Sequence, residues 1–492
     1  MQPVINIDSW INKLAYSKVS TGFRDGQIFA GKITKFYPHN MAEVLVNGTK
    51  MIAKLDVSVE AHVRQLFQVR QTENGLMQLK VLPFGSGISK PDLPAQLLSA
   101  FQIKASRAGG NLAEMVIANQ LAVTKDSFTR ALNWLNSTGD PSIGMPTIKL
   151  AYMNQLPIHK TVLDALLSLK TGESLTSMLD SLTKYLKTSD NLGKYAHIIN
   201  RLEEFLQTGK REAFQGIAMS LMDENMEIFQ KAGLILKEGE VILSNSSHNR
   251  LQEWIERVFS GNSTRPPELT AEEWQKVQEK ILKSDLFSHL DKNNTLYKAI
   301  NSIMQSLGIK DQSKQPETSI VKDTLIQLTA EKTPIQLKKQ AEAILTRLAA
   351  FQLLSQETGP LQNVFMQIPV PLTSVKGDLT LQWTGRKRED GTIDPAYCRI
   401  VFYLELAHLK ETVIDMNIQN RIISLKIWTG EKKEANIAAS SLVTILKENL
   451  EEKGYILSTV KIADFSQEKS VNSEISKSYY PSFGYTGVDY KI

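Results

Sequence analysis

The residues able to do chemistry are few and scattered. The seven histidines, His39, His62, His159, His197, His248, His289 and His408, stand apart from one another and from carboxylates at ligand spacing. A metal site needs such groups converging from short, defined spacings, so no metal and no cofactor is expected. There is no phosphate-cradling glycine loop, no Gly-x-Ser-x-Gly elbow and no His-Glu-x-x-His helix. Glu405 and Asp415 can face each other on adjacent strands, but with no cleft around them they amount to solvated surface. The single cysteine, Cys398, falls on the apolar side of an alternating run, which makes it a buried, inert thiol and rules out an intramolecular disulfide. These absences point away from an enzyme and towards recognition of another molecule.

The chain that must position these groups has 492 residues, enough for about two to four domains with separate cores. It carries 57 Lys and Arg against 52 Asp and Glu, a formal charge of +5. Nucleic-acid proteins concentrate basic residues on one face, because phosphate neutralisation supplies most of their affinity. Here clusters such as Arg386-Lys387-Arg388 run straight into Glu389-Asp390, so composition argues against a nucleic-acid partner. No apolar run approaches the ~20 residues that span a bilayer. Asp8 and Lys13 interrupt the start of the chain, which has no secretory signal core. A cytoplasmic protein without a membrane span is the expectation.

Taken in order, Trp10, Leu14 and Val19 outline an N-terminal arm, and the period from Gly26 to Phe84 is that of strands. Asn47-Gly48 and Asn74-Gly75 each mark a hairpin, and Gly31 predicts a bend or bulge inside the first long strand. Five short strands predict a small closed barrel of the OB or SH3-like kind. Phe29, Phe36, Tyr37 and Phe67 with Lys32, Lys35 and Lys54 would suit a single-strand binding groove; the plainer reading has the aromatics filling the barrel. After the linker from Gly85 through Pro94, the period is helical to Leu354. The segment Asn119–Leu132 echoes as Asn154–Leu166, with Thr124 as a helix cap in the first copy and Pro157 breaking the helix in the second. Two copies imply a duplicated helix-turn-helix unit. Further on, a hairpin is expected around Glu238-Gly239, a capping box at Thr270 and Glu273, a polar connection from Gly308 to Thr318, and a long helix from Gln336 to Leu354.

The C-terminal pattern is the densest. Phe365–Val370, Leu379–Trp383 and the alternation Cys398, Ile400, Phe402, Leu404, Leu406 predict strands, with a protruding loop at Asp390-Gly391. Thr412–Ile418 and Arg421–Trp428 follow as a hairpin turning at Gln419-Asn420. Ala435, Ala438, Ala439, Leu442, Val443, Leu446 and Leu450 then recur at helical spacing, Gly454 provides a left-handed cap, and Tyr455–Ile462 returns as a strand. From Ser466 the apolar period stops, and a Tyr-rich tail follows that cannot bury enough area to order itself.

Leu404-Glu405-Leu406, Leu409–Asp415 and Leu442…Leu446…Leu450 through Gly454-Tyr455-Ile456-Leu457 resemble the C-terminal domain of flagellar hook-length control proteins. That family shows Leu-x-Leu, a Pro-Glu-x-Leu-Gly corner, Val-x-Val, a helix and Leu-x-x-x-Gly-Leu. In this chain the corner lacks its Pro, and Leu409-Lys410 stands where Leu-Gly is usual. His408 lies at the corner, where a backbone-bonded imidazole is the plain reading. The resemblance implies a non-enzymatic, export-associated protein whose C-terminal domain contacts the cytoplasmic domain of the flagellar export-gate switch protein to influence export substrate specificity, and it leaves open export of the chain itself by that apparatus. Leu409, Val413, Ile414 and Asp415 match its characteristic positions and are the expected partner-binding residues.

The expected fold class is α+β and multidomain. An arm plus barrel occupies 1–85, an all-α region 92–355, a hook-length-control-like α/β sandwich of mixed sheet with one covering helix 361–465, and a disordered tail 466–492. The rival function is nucleic-acid binding through the barrel.

Overall fold

The N-terminal alternation closes on itself. Strands β1 (Ile28–Tyr37), β2 (Met41–Val46), β3 (Thr49–Leu55), β4 (Arg64–Gln71) and β5 (Met77–Val81) form a barrel in the order β1-β2-β3-β5-β4, with β1 also paired to β4. Only β3 and β5 run parallel. The structure, a computed structural model, describes residues 23–46, 48–56, 62–71, 77–82, 92–170, 173–188, 193–203, 205–206, 253–254, 265–267, 269–282, 320–330, 332–355, 357–358, 361–369, 378–388, 393–406 and 409–465. It divides into two compact units, Met1–Gly172 and Glu173–Ile492. The expected N-terminal arm, the hairpins at Asn74-Gly75 and Glu238-Gly239, the connection 308–318, the loop at Asp390-Gly391, His408 and the tail from Ser466 lie outside the described residues.

Phe29, Ile33, Val44, Phe67, Val69 and Leu79 fill the barrel. Gly31 faces them too. A Cβ there would meet Val44 Cγ1 at 3.1 Å and Val46 Cγ2 at 3.2 Å, so glycine makes room inside the barrel. The bulge expected at Gly31 falls instead between Ile33 and Lys35, where the β1–β2 register slips. Gly48 turns the β2–β3 hairpin with φ +74°.

Among the described residues of this unit, five helices accompany the barrel: α1 (Leu93–Ala100), α2 (Arg107–Ala118), α3 (Lys125–Thr138), α4 (Pro141–Met153) and α5 (Lys160–Ser168). Pro94, read as linker, lies in the first turn of α1 behind the cap Asp92, where its missing N–H costs nothing. The echo at Asn119 and Asn154 is a repeated corner. Each Asn side chain donates to the carbonyl four residues back, at 2.7 and 2.9 Å. Gln120 and Gln155 follow at φ +51° and +53°, and Leu121 and Leu156 donate back to Val116 and Ala151. A third copy stands at Gln102, φ +56°, with Ile103 N–H bonded to Leu98. Beyond the first full corner, Val123 exchanges both backbone hydrogen bonds with Ile28 and ties the helices to the barrel.

In the second unit, α6 (Leu175–Thr188), α7 (Ala271–Leu282), α8 (Ile320–Gln327) and α9 (Ile335–Leu354) precede the sheet. The capping box forms as expected: Thr270 N–H donates to Glu273 and Glu273 N–H to Thr270 Oγ1. The sheet comprises β6 (Glu357–Thr358), β7 (Leu361–Pro369), β8 (Asp378–Lys387), β9 (Ile393–Leu406), β10 (Lys410–Gln419), β11 (Ile422–Thr429) and β12 (Ile456–Ala463), with α10 (Lys432–Glu452) between the last two. Its order is β12-β11-β10-β9-β8-β7-β6, and only β11–β12 is parallel.

One covering helix was expected; several share that face. Residues of α6, α8 and α9 share one core with Met366, Ile368, Leu379, Leu381, Phe402 and Leu404. Val443 and Leu450 of α10 cover Cys398, Ile418, Ile423, Leu425 and Leu457. The registers place both sets on the same side of the pleat. The β10–β11 turn sits one residue later than expected. Gln419 stays in the ladder opposite Ile422, and Asn420 and Arg421 take φ +50° and +63°, the two positive angles that a two-residue hairpin demands. Gly454 caps α10 at φ +76°, and Tyr455 N–H returns to Leu450.

Candidate contact surface of the C-terminal sheet

β10 lies between β9 and β11, so its side chains alternate between the helix-covered face and the opposite one. At its start, Lys410 has φ +55°, a conformation that suits glycine. The Leu409 carbonyl accepts from Thr429 Oγ1 at 2.7 Å and from Thr412 Oγ1 at 3.3 Å. Both threonines are buried, so the corner is pinned from inside.

The four expected contact residues separate into different environments. Val413 is 2 % exposed, between Tyr403 and Trp428, themselves buried on the face opposite α10. It belongs to the core and offers no surface. Ile414 points to the helix side and packs against the cluster around Ile418 and Leu425. Asp415 receives both Nε and Nη2 of Arg399, the latter at 2.5 Å, and neither side chain is more than about a fifth exposed. Leu409 is half-buried at the turn. The expected facing of Glu405 and Asp415 does not occur: Asp415 is paired with Val401, and Glu405 with Glu411.

Sequence reasoning missed where apolar side chains reach solvent. Leu442 and Leu446 lie on the apolar stripe of α10 yet are 44 % and 37 % exposed. At the far end of the sheet Tyr397, Gln419, Ile422 and Ile456 stand in one row across four strands, and the three apolar members are all exposed. The only available signal was that apolar residues break the alternation there, as in Ile422-Ile423.

The other groups with unusual environments are structural. Cys398 is buried, and desolvation pushes its thiol above the ordinary value. Arg347 is 2 % exposed and donates from Nε to Gln367 at 2.8 Å. Asp378 is also buried and accepts from the first turn of α6. Among the described residues no three or more His, Cys, Asp or Glu gather as metal ligands, and no helix is long and apolar enough to cross a membrane.

No family model matches the chain, and no solved structure matches it. The chain is similar to YlqG, an uncharacterized protein of Bacillus subtilis (strain 168), at 22 % identity over 97 % of this chain and 96 % of that one.

Proposed function

We propose that this chain is a non-enzymatic, cytoplasmic, export-associated protein that acts by protein–protein contact through its C-terminal sheet and α10. The reading follows from the resemblance to hook-length control proteins. The observation that carries it is the exposure of Leu442 and Leu446, two of the leucines on which that resemblance rests. Covering such partly open leucines contributes about 1 kcal/mol each, which suits a docking surface. Further support for the reading is that β9, β10, α10 and β12 follow the order of the motifs from which the resemblance was drawn.

The partner in this reading is the cytoplasmic domain of the export-gate switch protein, with contact biasing one of its two states; that requires tighter contact to one state than to the other. A barrel and packed helices stand where hook-length regulators carry a long Pro- and Gln-rich half, which favours an accessory or divergent paralogue over a ruler. The barrel order, with β3 and β5 parallel, suits the OB alternative over the SH3-like one.

The test is a pull-down with that cytoplasmic domain, comparing the parent chain with the Leu442→Glu, Leu446→Glu double variant. Capture by the parent and loss in the variant is the expected result. No capture by the parent, with normal hook length in a strain lacking the gene, removes the reading.

A further inference from the structure

The outer face of β1, β2 and β3 forms a small grid fixed by register. One row is Lys32, Leu45 and Lys50; the next is Lys35, Glu43 and Ile52; the third is Tyr37, Met41 and Lys54. The slip at Thr34 builds it, because it turns Lys35 and Tyr37 to the side that Lys32 occupies before the bulge. Four lysines rim the face, and Lys35, Lys50 and Lys54 are exposed. Ile52, 59 % exposed, lies among them, with Met41 and Leu45 half-buried beside it. Lys35 Nζ sits 5.0 Å from the Tyr37 ring centroid.

The one acid on the grid, Glu43, is already engaged. It accepts from Thr34 Oγ1 at 2.5 Å and pairs with Lys50 at 3.0 Å. The Thr34 bond first, then Lys50, hold its carboxyl below the usual range. The helices lie elsewhere on the barrel: Val123 bridges to Ile28, and Arg64 Nη2 donates to the Ile117 carbonyl. Among the described residues these helix contacts avoid the β1–β3 face, where Lys35, Lys50, Ile52 and Lys54 are exposed.

We infer that this face binds a single-stranded polynucleotide, with bases on Tyr37, Met41 and Ile52 and phosphates on the surrounding lysines. Charge complementarity selects a polyanion, and the apolar and aromatic centre selects one that carries bases. Strands about 4.8 Å apart make the grid roughly 10 Å wide, the scale of a few nucleotides. The inference is independent of the C-terminal contact reading, since it rests on the other unit. Composition alone argued against it because the lysines at 32, 35, 50 and 54 are spread along the sequence and only strand pairing collects them.

The test is fluorescence anisotropy of the full chain with labelled twelve-base single strands of mixed dC and dT, titrated with salt. Binding at low salt is expected, with log K falling against log[salt] by about 0.7 per phosphate contacted, hence a slope near −2 to −3. The Lys35→Ala, Lys54→Ala double variant should bind at least tenfold more weakly, with a slope shallower by about 1.4. Tyr37→Ala should weaken binding about tenfold with the slope unchanged. An abasic strand of equal length and polyglutamate, run as polyanions without bases, should each bind at least tenfold more weakly than the mixed strand. No anisotropy change at low salt overturns the inference. Equal binding by either base-free polyanion, or by lysine and tyrosine variants with unaltered circular dichroism, overturns it as well.

Discussion

Asp378, at the start of β8, accepts hydrogen bonds from the backbone N–H of Leu175, 203 residues earlier, and so caps helix α6 from the sheet. Its carboxyl also takes the Thr176 N–H at 3.3 Å and the Thr176 hydroxyl at 2.5 Å. A helix start has donors with no partner of their own, and here a buried residue of another element provides one. Arg347, buried beside it, draws further on its charge. Asp378→Ala should therefore cost about 3 kcal/mol of unfolding free energy, the range for breaking a buried charged network. Asp378→Asn, which keeps an acceptor oxygen, should cost about 1 kcal/mol. Urea unfolding of the two variants checks the order; a negligible loss in Asp378→Ala would show that the cap contributes nothing.

The same residue sets a pH dependence. Burial pushes the Asp378 carboxyl above its ordinary value, against the opposing pull of the Thr176 and Leu175 bonds and Arg347. As pH rises past the usual aspartate value near ~3.9, the unfolded chain releases this proton while the folded chain still holds it. Stability due to this group should fall across that window and level off above the raised value. Asp378→Asn should flatten that limb of the stability–pH curve, measured by thermal unfolding between acid and neutral pH.

The barrel strands, the Thr124 and Thr270 caps, the Gly454 cap and the C-terminal element order were legible because each rests on local chemistry: alternation, a hydroxyl at a helix start, a residue without Cβ. What was not legible depends on pairing between distant segments. Asp378 looks like any polar strand residue until α6 arrives. Asp415 was set against Glu405 on the adjacent strand, but the register pairs it with Val401, and its carboxylate takes the guanidinium of Arg399 from the diagonal position. The third corner was hidden because Phe101-Gln102-Ile103 lacks the Asn and shares with the other two only Gln followed by an aliphatic residue.

Those corners offer a direct test of backbone strain. Gln102 sits at φ +56°, and its side chain accepts an exposed hydrogen bond from Lys125 at 3.3 Å. A left-handed residue with a Cβ costs about 1–2 kcal/mol, part of which a glycine would give back through a freer unfolded chain. Gln102→Gly should raise stability by about 0.5 kcal/mol and Gln102→Val should lower it by about 1 kcal/mol, because β-branched residues avoid this region. Calorimetry that found both variants equal to the parent would remove the strain argument.

Gly385 of β8 tests close packing in the sheet. A Cβ there would come within 2.4 Å of Ile393 Cγ2, 2.9 Å of Cys398 Cβ and 3.2 Å of the Tyr397 carbonyl oxygen. The last two atoms belong to backbone or its first carbon and cannot swing aside. Gly385→Ala should cost about 2–3 kcal/mol, the overpacking range. The variant combined with Ile393→Ala should recover only part, since the Cys398 contact persists; denaturant midpoints of the two measure this.

The contact reading and the ion pair in β10 make opposite demands on Asp415, which lets one substitution separate them. Its carboxylate is held by both nitrogens that Arg399 presents, in a site where each side chain is less than a fifth exposed. A bidentate pair so placed is worth more than a surface pair, so Asp415→Asn should lower stability by about 1–2 kcal/mol. The same substitution should leave pull-down by the export-gate domain unchanged, because a carboxylate committed to Arg399 has little left to offer a partner. Leu442→Glu, Leu446→Glu should do the reverse, keeping the melting temperature within about 2 °C while abolishing capture. If Asp415→Asn loses capture at full stability, the contact lies on the strand and the leucines of α10 are bystanders.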